Sequence, residues 1–397
     1  MKMMRMFCLA AAVALCGVAS AASFHKIDGT KVSGVLQGVD AKGAMTIQPE
    51  MGDAVTIPSD ELMRIEFGVG REALAPNGVG LHLPRGDRVN GALRKCSPVN
   101  VEVASPALGK VALSLEKLLA VEFLHVAEEP KDAAKMRAAM LANKTQNDIS
   151  FSMNGDQMPG ILVGFKPDKI KLKASLGEMS LDTARLFGVS LAARKRPPPP
   201  ASLLAVARCT DGSVVTGTLM ASKGGIKLAL LAGPEVEIRS AHLIELGFRQ
   251  GKLVYLSDLD PAKEEARPYF TGDHTWPYQR DKSYDRKPIR LGGKVYRKGL
   301  GMFAGMKLTY QLGGEFKKFV SLVGIDDADE HNKGDVTVRV LADGKEVFKK
   351  AGLTRKSGPV KIDLSVKGVK TLELAVDFGG NMLFGDITDW ADAHLIR

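Results

Sequence analysis

The first 250 residues of this chain contain no tyrosine and no tryptophan; all six tyrosines and both tryptophans follow them. A segment without these rings is poorly equipped to stack on a ligand that is partly wet and partly apolar, such as a sugar. That absence directs the search for such a ligand to the last third of the chain, and it sets a domain boundary near Gly251. Cysteine is scarce as well. Of four, Cys8 and Cys16 sit at the extreme N-terminus, leaving Cys96 and Cys209. Two cysteines exclude a disulfide-dense scaffold. They leave open one bridge formed after export or two unpaired, buried thiols. His25, His82, His125 and His242 have no Cys or His partner at metal-ligand spacing. No glycine-rich phosphate loop opens a helix. Beyond the N-terminus no apolar run is long enough to span a bilayer, so no transmembrane segment is expected.

What is present begins with a leader. Lys2 and Arg5 precede the apolar run from Met6 to Leu15, and Ala19-Ser20-Ala21 supplies small residues for cleavage. Residues 1–21 therefore read as a signal peptide, and the mature protein as secreted or periplasmic. The net charge of +10 includes Lys2 and Arg5, and the remaining surplus is shared by both halves. Nucleic-acid binders concentrate positive charge on one face or run, so no nucleic-acid partner is expected. The one dense basic run, Arg194-Lys195-Arg196 before Pro197 to Pro200, reads as a linker over 193–202.

The segment before residue 250 repeats itself. Asp28-Gly29-Thr30-Lys31-Val32-Ser33-Gly34 recurs as Arg85 to Gly91, Asn154 to Gly160 and Asp211 to Gly217. The first Gly of the motif suits a tight turn with positive φ. The second falls within a strand, where Gly marks a bulge or a sharp barrel bend. Each copy closes on short alternating apolar runs: Val55, Ile57, Leu62, Ile65 and Phe67 correspond to Val111, Leu113, Leu118, Val121 and Phe123, with like series ending at Leu191 and Phe248. Period-two alternation of this kind reads as β-strand. Four small barrel-like repeats are expected over 22–70, 77–126, 147–192 and 203–250, loosely resembling SH3 or Sm folds. The first glycines stand at 29, 86, 155 and 212, so the outer spacings are equal and the middle one is longer. That pattern suggests a duplicated pair, with a helical linker over 127–146. Units this small are expected to pack on one another. They carry no recognisable chemistry and read as a platform, with envelope proteins as candidate partners.

Strand signals continue over 251–397. Val336 to Val340 alternate, Asp343-Gly344 makes a two-residue turn, and Glu346 to Phe348 returns, which is a hairpin. Leu372, Leu374 and Val376 alternate with polar neighbours as a half-buried strand. The fold class expected for the whole chain is all-β.

Five blocks occur in order here: Tyr255 to Leu259, Lys298 to Gly301, Val323 to Asp327, Asp343 to Lys345 and Asp389 to Ala393. Together they resemble the NPCBM domain, a carbohydrate-binding module family associated with glycoside hydrolase family 98. The resemblance implies a galactose-binding-like jelly-roll sandwich, a glycan or polysaccharide as partner, and often a structural calcium ion. It departs in two places. Phe303 and Met306 stand where the family carries His and then Ser, and Asp386-Ile387 stands where Asp-His precedes the Trp-Ala-Asp block. Sugar specificity does not carry over with those side chains gone.

Candidate saccharide contacts are Trp276 and Tyr278, in a Pro-containing loop, with Trp390 in a motif block and the carboxylates Asp326 and Asp327. Trp390 reads also as core. Asp258 and Asp392 are the candidate calcium ligands, since that ion takes oxygen donors. Asp329, Glu330 and His331 extend the acidic run without calcium-loop spacing. The expected protein is an exported glycan binder that is not an enzyme. The alternative is a structural envelope protein whose sandwich contacts other proteins.

Overall fold

The computed structural model describes residues 21–70, 78–97, 99–125, 129–175, 177–194, 200, 202–270, 277–328 and 333–397. The described chain is all-β apart from one α-helix, Ala133–Leu141, and single 3₁₀ turns. No helix among the described residues is long and apolar enough to cross a membrane. Most of the expected leader and Trp276, Asp329, Glu330 and His331 lie outside the described residues.

Residues 22–66 form five short antiparallel strands. The strand Lys31–Val39 shows how they are arranged. It pairs with Ala22–Lys26 as far as Gly34, then with Met45–Gln48 from Val35 onward. Gly34 thus stands where the strand changes partner, and a Cβ there would strike the backbone of Gln48. Gly91, Gly160 and Gly217 occupy the same corner in three further strand groups, each closed against a facing backbone or side chain. The preceding motif glycines, Gly29, Gly86, Gly155 and Gly212, all have positive φ. Only glycine adopts that conformation freely.

The strand groups meet across their last strands. Leu62–Glu66 pairs antiparallel with Leu243–Arg249, with Ile65 opposite Leu246. Ala120–Leu124 pairs with Leu186–Ser190, with Val121 opposite Val189. Both contacts join positions that correspond in the sequence motif, as in an isologous dimer interface. One apolar core runs through the whole assembly, from Phe24 and Ile65 to Leu246 and Phe248. Cys96 and Cys209 are free, and burial pushes both thiols up.

Buried charge in this half is balanced. Glu122 is 1% exposed, and His82 Nε2 lies 2.6 Å from its Oε2. Arg137, on the helix, grips Glu122 through Nε and Nη2, and Arg88 lies 3.3 Å away. Burial pushes this carboxyl up, but the hydrogen bonds of His82 and Arg137 and the charge of Arg88 hold it down at about 2. A related pair, His25 and Glu66 at 3.2 Å, occupies the corresponding place among residues 22–66. Both histidines stand four residues before the first motif glycine, a correspondence visible in the sequence once it is sought.

The C-terminal domain is a sandwich of two antiparallel sheets. One runs Gln279–Arg280, Gly299–Phe303, Ile387–Ile396, Lys318–Ile325, Val360–Ser365, with Leu253–Tyr255 also on Ile387–Ile396. The other runs Lys263–Ala266, Met306–Gln311, Thr371–Phe378, Asp335–Ala342, Lys345–Thr354. The expected hairpin is present. Asp335–Ala342 pairs with Lys345–Thr354 across Asp343 and Gly344, both at positive φ. Leu372, Leu374 and Val376 face inward, fully buried. They pack with Val336, Val338, Leu300, Met302 and Trp390 between the sheets.

Candidate functional site

Trp390 is fully buried, and its partner across the sheet is Leu300. It belongs to the core and offers no surface to a ligand, which corrects its assignment as a saccharide contact. Burying the indole contributes a few kcal/mol to the sandwich, about the cost of a Trp→Ala change in a core.

Because side chains alternate across a strand, the neighbours of Trp390 and Leu300 face outward. On Gly299–Phe303 these are Gly301 and Phe303; on Ile387–Ile396 they are Asp389 and Ile387. Gly301 lies opposite Asp389, and Phe303 opposite Ile387. On its other side Asp389 is opposite Gly324. The Asp389 carboxyl therefore sits between two residues without side chains. The backbone of Lys282, Ser283 and Tyr284 crosses directly over Gly301, leaving no room for a Cβ. Asp389 is completely buried and Asp326, beside it, is 2% exposed. Burial, and then the neighbouring Asp326 carboxyl, push Asp389 well above the usual carboxylate range; Ser283 opposes the rise. Asp386, also buried, is pushed up to about 6 by its burial.

Phe303 and Ile387, two of the residues at which the resemblance departs, are thus cross-strand partners. Both are half-buried, and the ring of Tyr284 lies 5.2 Å from that of Phe303 at an interplanar angle of 33°. This forms an apolar shelf beside the buried carboxyls. The turn after Phe303 extends it. Gly305 meets the Phe378 ring, which packs edge-on against Tyr269 at 4.9 Å, and Tyr269 packs on Phe270 at 4.9 Å. Tyr269 and Phe270 are exposed, as are Met382 and Phe384 on the approach to Ile387. Such a rim can stack on the C–H face of a ring and keep its polar edge wet.

The remaining expected residues fall around this shelf rather than on it. Asp326 accepts backbone N–H groups of Arg290 and Ala328, and Asp327 accepts that of Gly293 at 2.7 Å. The two carboxylates anchor the hairpin Ile289–Leu291 and Lys294–Tyr296 to the sheet. Tyr278 is half-buried, its hydroxyl accepts from Arg280 Nε at 2.9 Å, and the guanidinium lies 5.6 Å over its ring. One face of the ring therefore carries a cation. Asp258 accepts from Lys298 Nζ at 2.7 Å, and Asp392 from Arg64 Nη1 at 3.0 Å. Both carboxylates are engaged in ion pairs with side chains of this chain. No group of three or more metal-binding side chains occurs among the described residues. Tyr284, Phe378, Tyr269 and Phe270 were not singled out in the sequence, because pairing across strands brings them together.

Comparison with known proteins agrees with the blocks found in the sequence. Residues 252–396 match the model of the family described as NPCBM/NEW2 domain. A Renibacterium salmoninarum protein named "Putative endo-alpha-N-acetylgalactosaminidase" is 30% identical over 112 residues, covering 28% of this chain. This chain spans only 7% of that relative's length. Among solved structures, a CBM51 module from Clostridium perfringens in complex with methyl-galactose is 27% identical, with a TM-score of 0.33. The match covers 36% of this chain and 99% of that one. Tandem CBM51 modules of a family 98 glycoside hydrolase from Streptococcus pneumoniae are 13% identical, with a TM-score of 0.32. That match covers 94% of this chain and 88% of the other. The C-terminal third of the chain, residues 252–396, is an NPCBM/NEW2 domain.

Proposed function

We propose that this is an exported glycan-binding protein that does no chemistry on its ligand, with the NPCBM/NEW2 domain as the reader and residues 22–250 as its platform. One observation carries the reading: the Tyr284, Phe303 and Ile387 shelf lies beside a buried carboxyl cluster on the outer face of a rigid sheet. The shelf supplies stacking area, and its wet edges supply hydrogen bonds. Catalysis by glycoside hydrolysis needs two carboxyls flanking the scissile bond. The burial of Asp389 and Asp326 supports a reading without such a pair. The family match and the relative's name make galactose-type sugars the first probes.

The test is a glycan array with the full chain, followed by titration of any hit. Retention on at least one glycan, weakened about tenfold by Tyr284→Ala, is the expected outcome. No retention on any glycan sinks the reading. A second reading, contact with an envelope protein, is favoured by the apolar Phe303 and Ile387 standing side by side on the outer face and by the exposure of Phe384. Stoichiometric co-purification of a protein that sugars do not displace would establish it.

A further inference from the structure

The platform and the sandwich line a partly open cleft of about 80 Å³ at their junction. A single water needs only about 10–15 Å³ on that measure, so the space holds several waters or one tetrahedral oxyanion. Its wall is strongly cationic. Arg64 comes from the strand Leu62–Glu66, Arg208 and Arg249 from the first and last strands around the fourth motif copy, Leu204–Cys209 and Leu243–Arg249, and Lys294, Arg297 and Lys298 from the hairpin and the turn after it. Facing these six are three carboxylates, Glu66, Glu245 and Asp392.

The pairing leaves cations over. Lys298 is held outside the set by Asp258 and Asp281, each at 2.7 Å. Arg64 takes Glu66 at 2.9 Å and Asp392 at 3.0 Å. Glu245 is shared by Arg208 at 3.4 Å and Arg297 at 3.7 Å, both long for charge-assisted bonds. Among the described residues neither Arg249 nor Lys294 has a carboxylate within ion-pair distance. Arg249 feels Asp87, but that carboxyl accepts two hydrogen bonds from Thr216. Burial first, and then the charges of Arg297 and Arg249, make Arg208 harder to keep protonated. Guanidinium forks crowded on one carboxylate suit a bidentate oxyanion.

We propose that this junction binds one oxyanion, which bridges Arg208 and Arg249 on the platform to Lys294 and Arg297 on the sandwich and so clamps the two together. The shared chemistry is that of a sulfate, a phosphate or a uronate carboxylate, whether free or borne by an acidic saccharide. The site is separate from the aromatic shelf, and its test does not depend on neutral-sugar binding.

Isothermal titration of the full chain with inorganic phosphate, sulfate, galacturonate and galactose 6-sulfate, at constant ionic strength in chloride, reads it directly. Saturable one-to-one binding is expected for at least one probe. Arg249→Gln should weaken it tenfold or more with an unchanged folding transition, and Arg208→Gln likewise if that variant folds. Tighter binding of the two saccharides than of the free anions assigns the source to an acidic glycan. Equal or weaker binding assigns it to the free anion. Absence of saturable binding, or binding that Arg249→Gln leaves intact, overturns the proposal.

Discussion

The two regions of this molecule bury charge in opposite ways. In the platform the deepest carboxylate, Glu122, is ringed by His82, Arg88 and Arg137 and stays ionised. In the sandwich Asp389 and Asp386 are buried with carboxyls for neighbours, and both are pushed toward the neutral acid. The first arrangement locks a fold, since a compensated buried ion pair fixes geometry and breaking it is costly. The second is unfavourable for stability in itself and lies directly beside the aromatic shelf. Carboxyls strained in this way cluster at functional sites more often than elsewhere. The contrast is in keeping with the proposal that the first half is structural and the second recognises the ligand.

The largest expected effect comes from removing the lock. Glu122→Ala leaves Arg88 without its carboxylate and Arg137 with only the exposed Glu129, and should cost the platform about 3–5 kcal/mol. Because both tryptophans follow residue 250, their fluorescence reports on the C-terminal region while far-UV circular dichroism follows the whole chain. Urea unfolding should show an earlier dichroism transition with fluorescence unmoved. If both move together, the regions unfold as one unit and the comparison fails.

Next is Gly301→Ala, whose methyl would enter the backbone of residues 282–284. Overpacking of this kind costs about 1–3 kcal/mol. Here fluorescence should move and the dichroism of the platform should not, with glycan retention lost as the shelf shifts.

The pH dependence should have opposite signs in the two regions. Asp386 and Asp389 have folded-state values above the unfolded one of about 3.9. Their contribution is full below that pH and is lost as pH rises through about 6 for Asp386. The fluorescence transition should therefore weaken, by about 1–2 kcal/mol, between pH 5 and pH 7. Asp389→Asn should flatten this slope. Glu122 lies below its unfolded value, so its contribution is present above about pH 4.3 and is lost as pH falls through about 2. A platform that weakens toward alkaline pH instead would break the contrast.

The smallest effect is the most discriminating between partners. Phe384 is 64% exposed, so Phe384→Ser should leave stability within about 0.5 kcal/mol. Loss of glycan retention in that variant extends the shelf to Phe384. Unchanged retention with loss of a co-purifying protein favours the second reading.

Much of the architecture was legible because it depends on local rules. The first glycine of each motif copy was expected at positive φ and has it, and the Asp343-Gly344 hairpin follows from its turn residues. The five ordered blocks located the NPCBM/NEW2 domain to within a residue or two. The site was less legible. Trp390 and Tyr278 were chosen by residue type, yet one ring is sunk in the core and the other is covered by Arg280. Residue type says that a ring can stack, but only packing decides which face is open.

By itself the sequence determined the all-β class, the glycine-cornered strands, the boundary near Gly251 and the family of the last third. Each of these rests on local backbone preference or on an ordered string of residues. Tertiary structure alone decided that Phe303 would face Ile387, that Asp389 would lie between Gly301 and Gly324, and that cations from three distant segments would converge on one cavity. Those outcomes depend on strand register and domain contact, which join residues tens to hundreds of positions apart and leave no periodic trace along the chain.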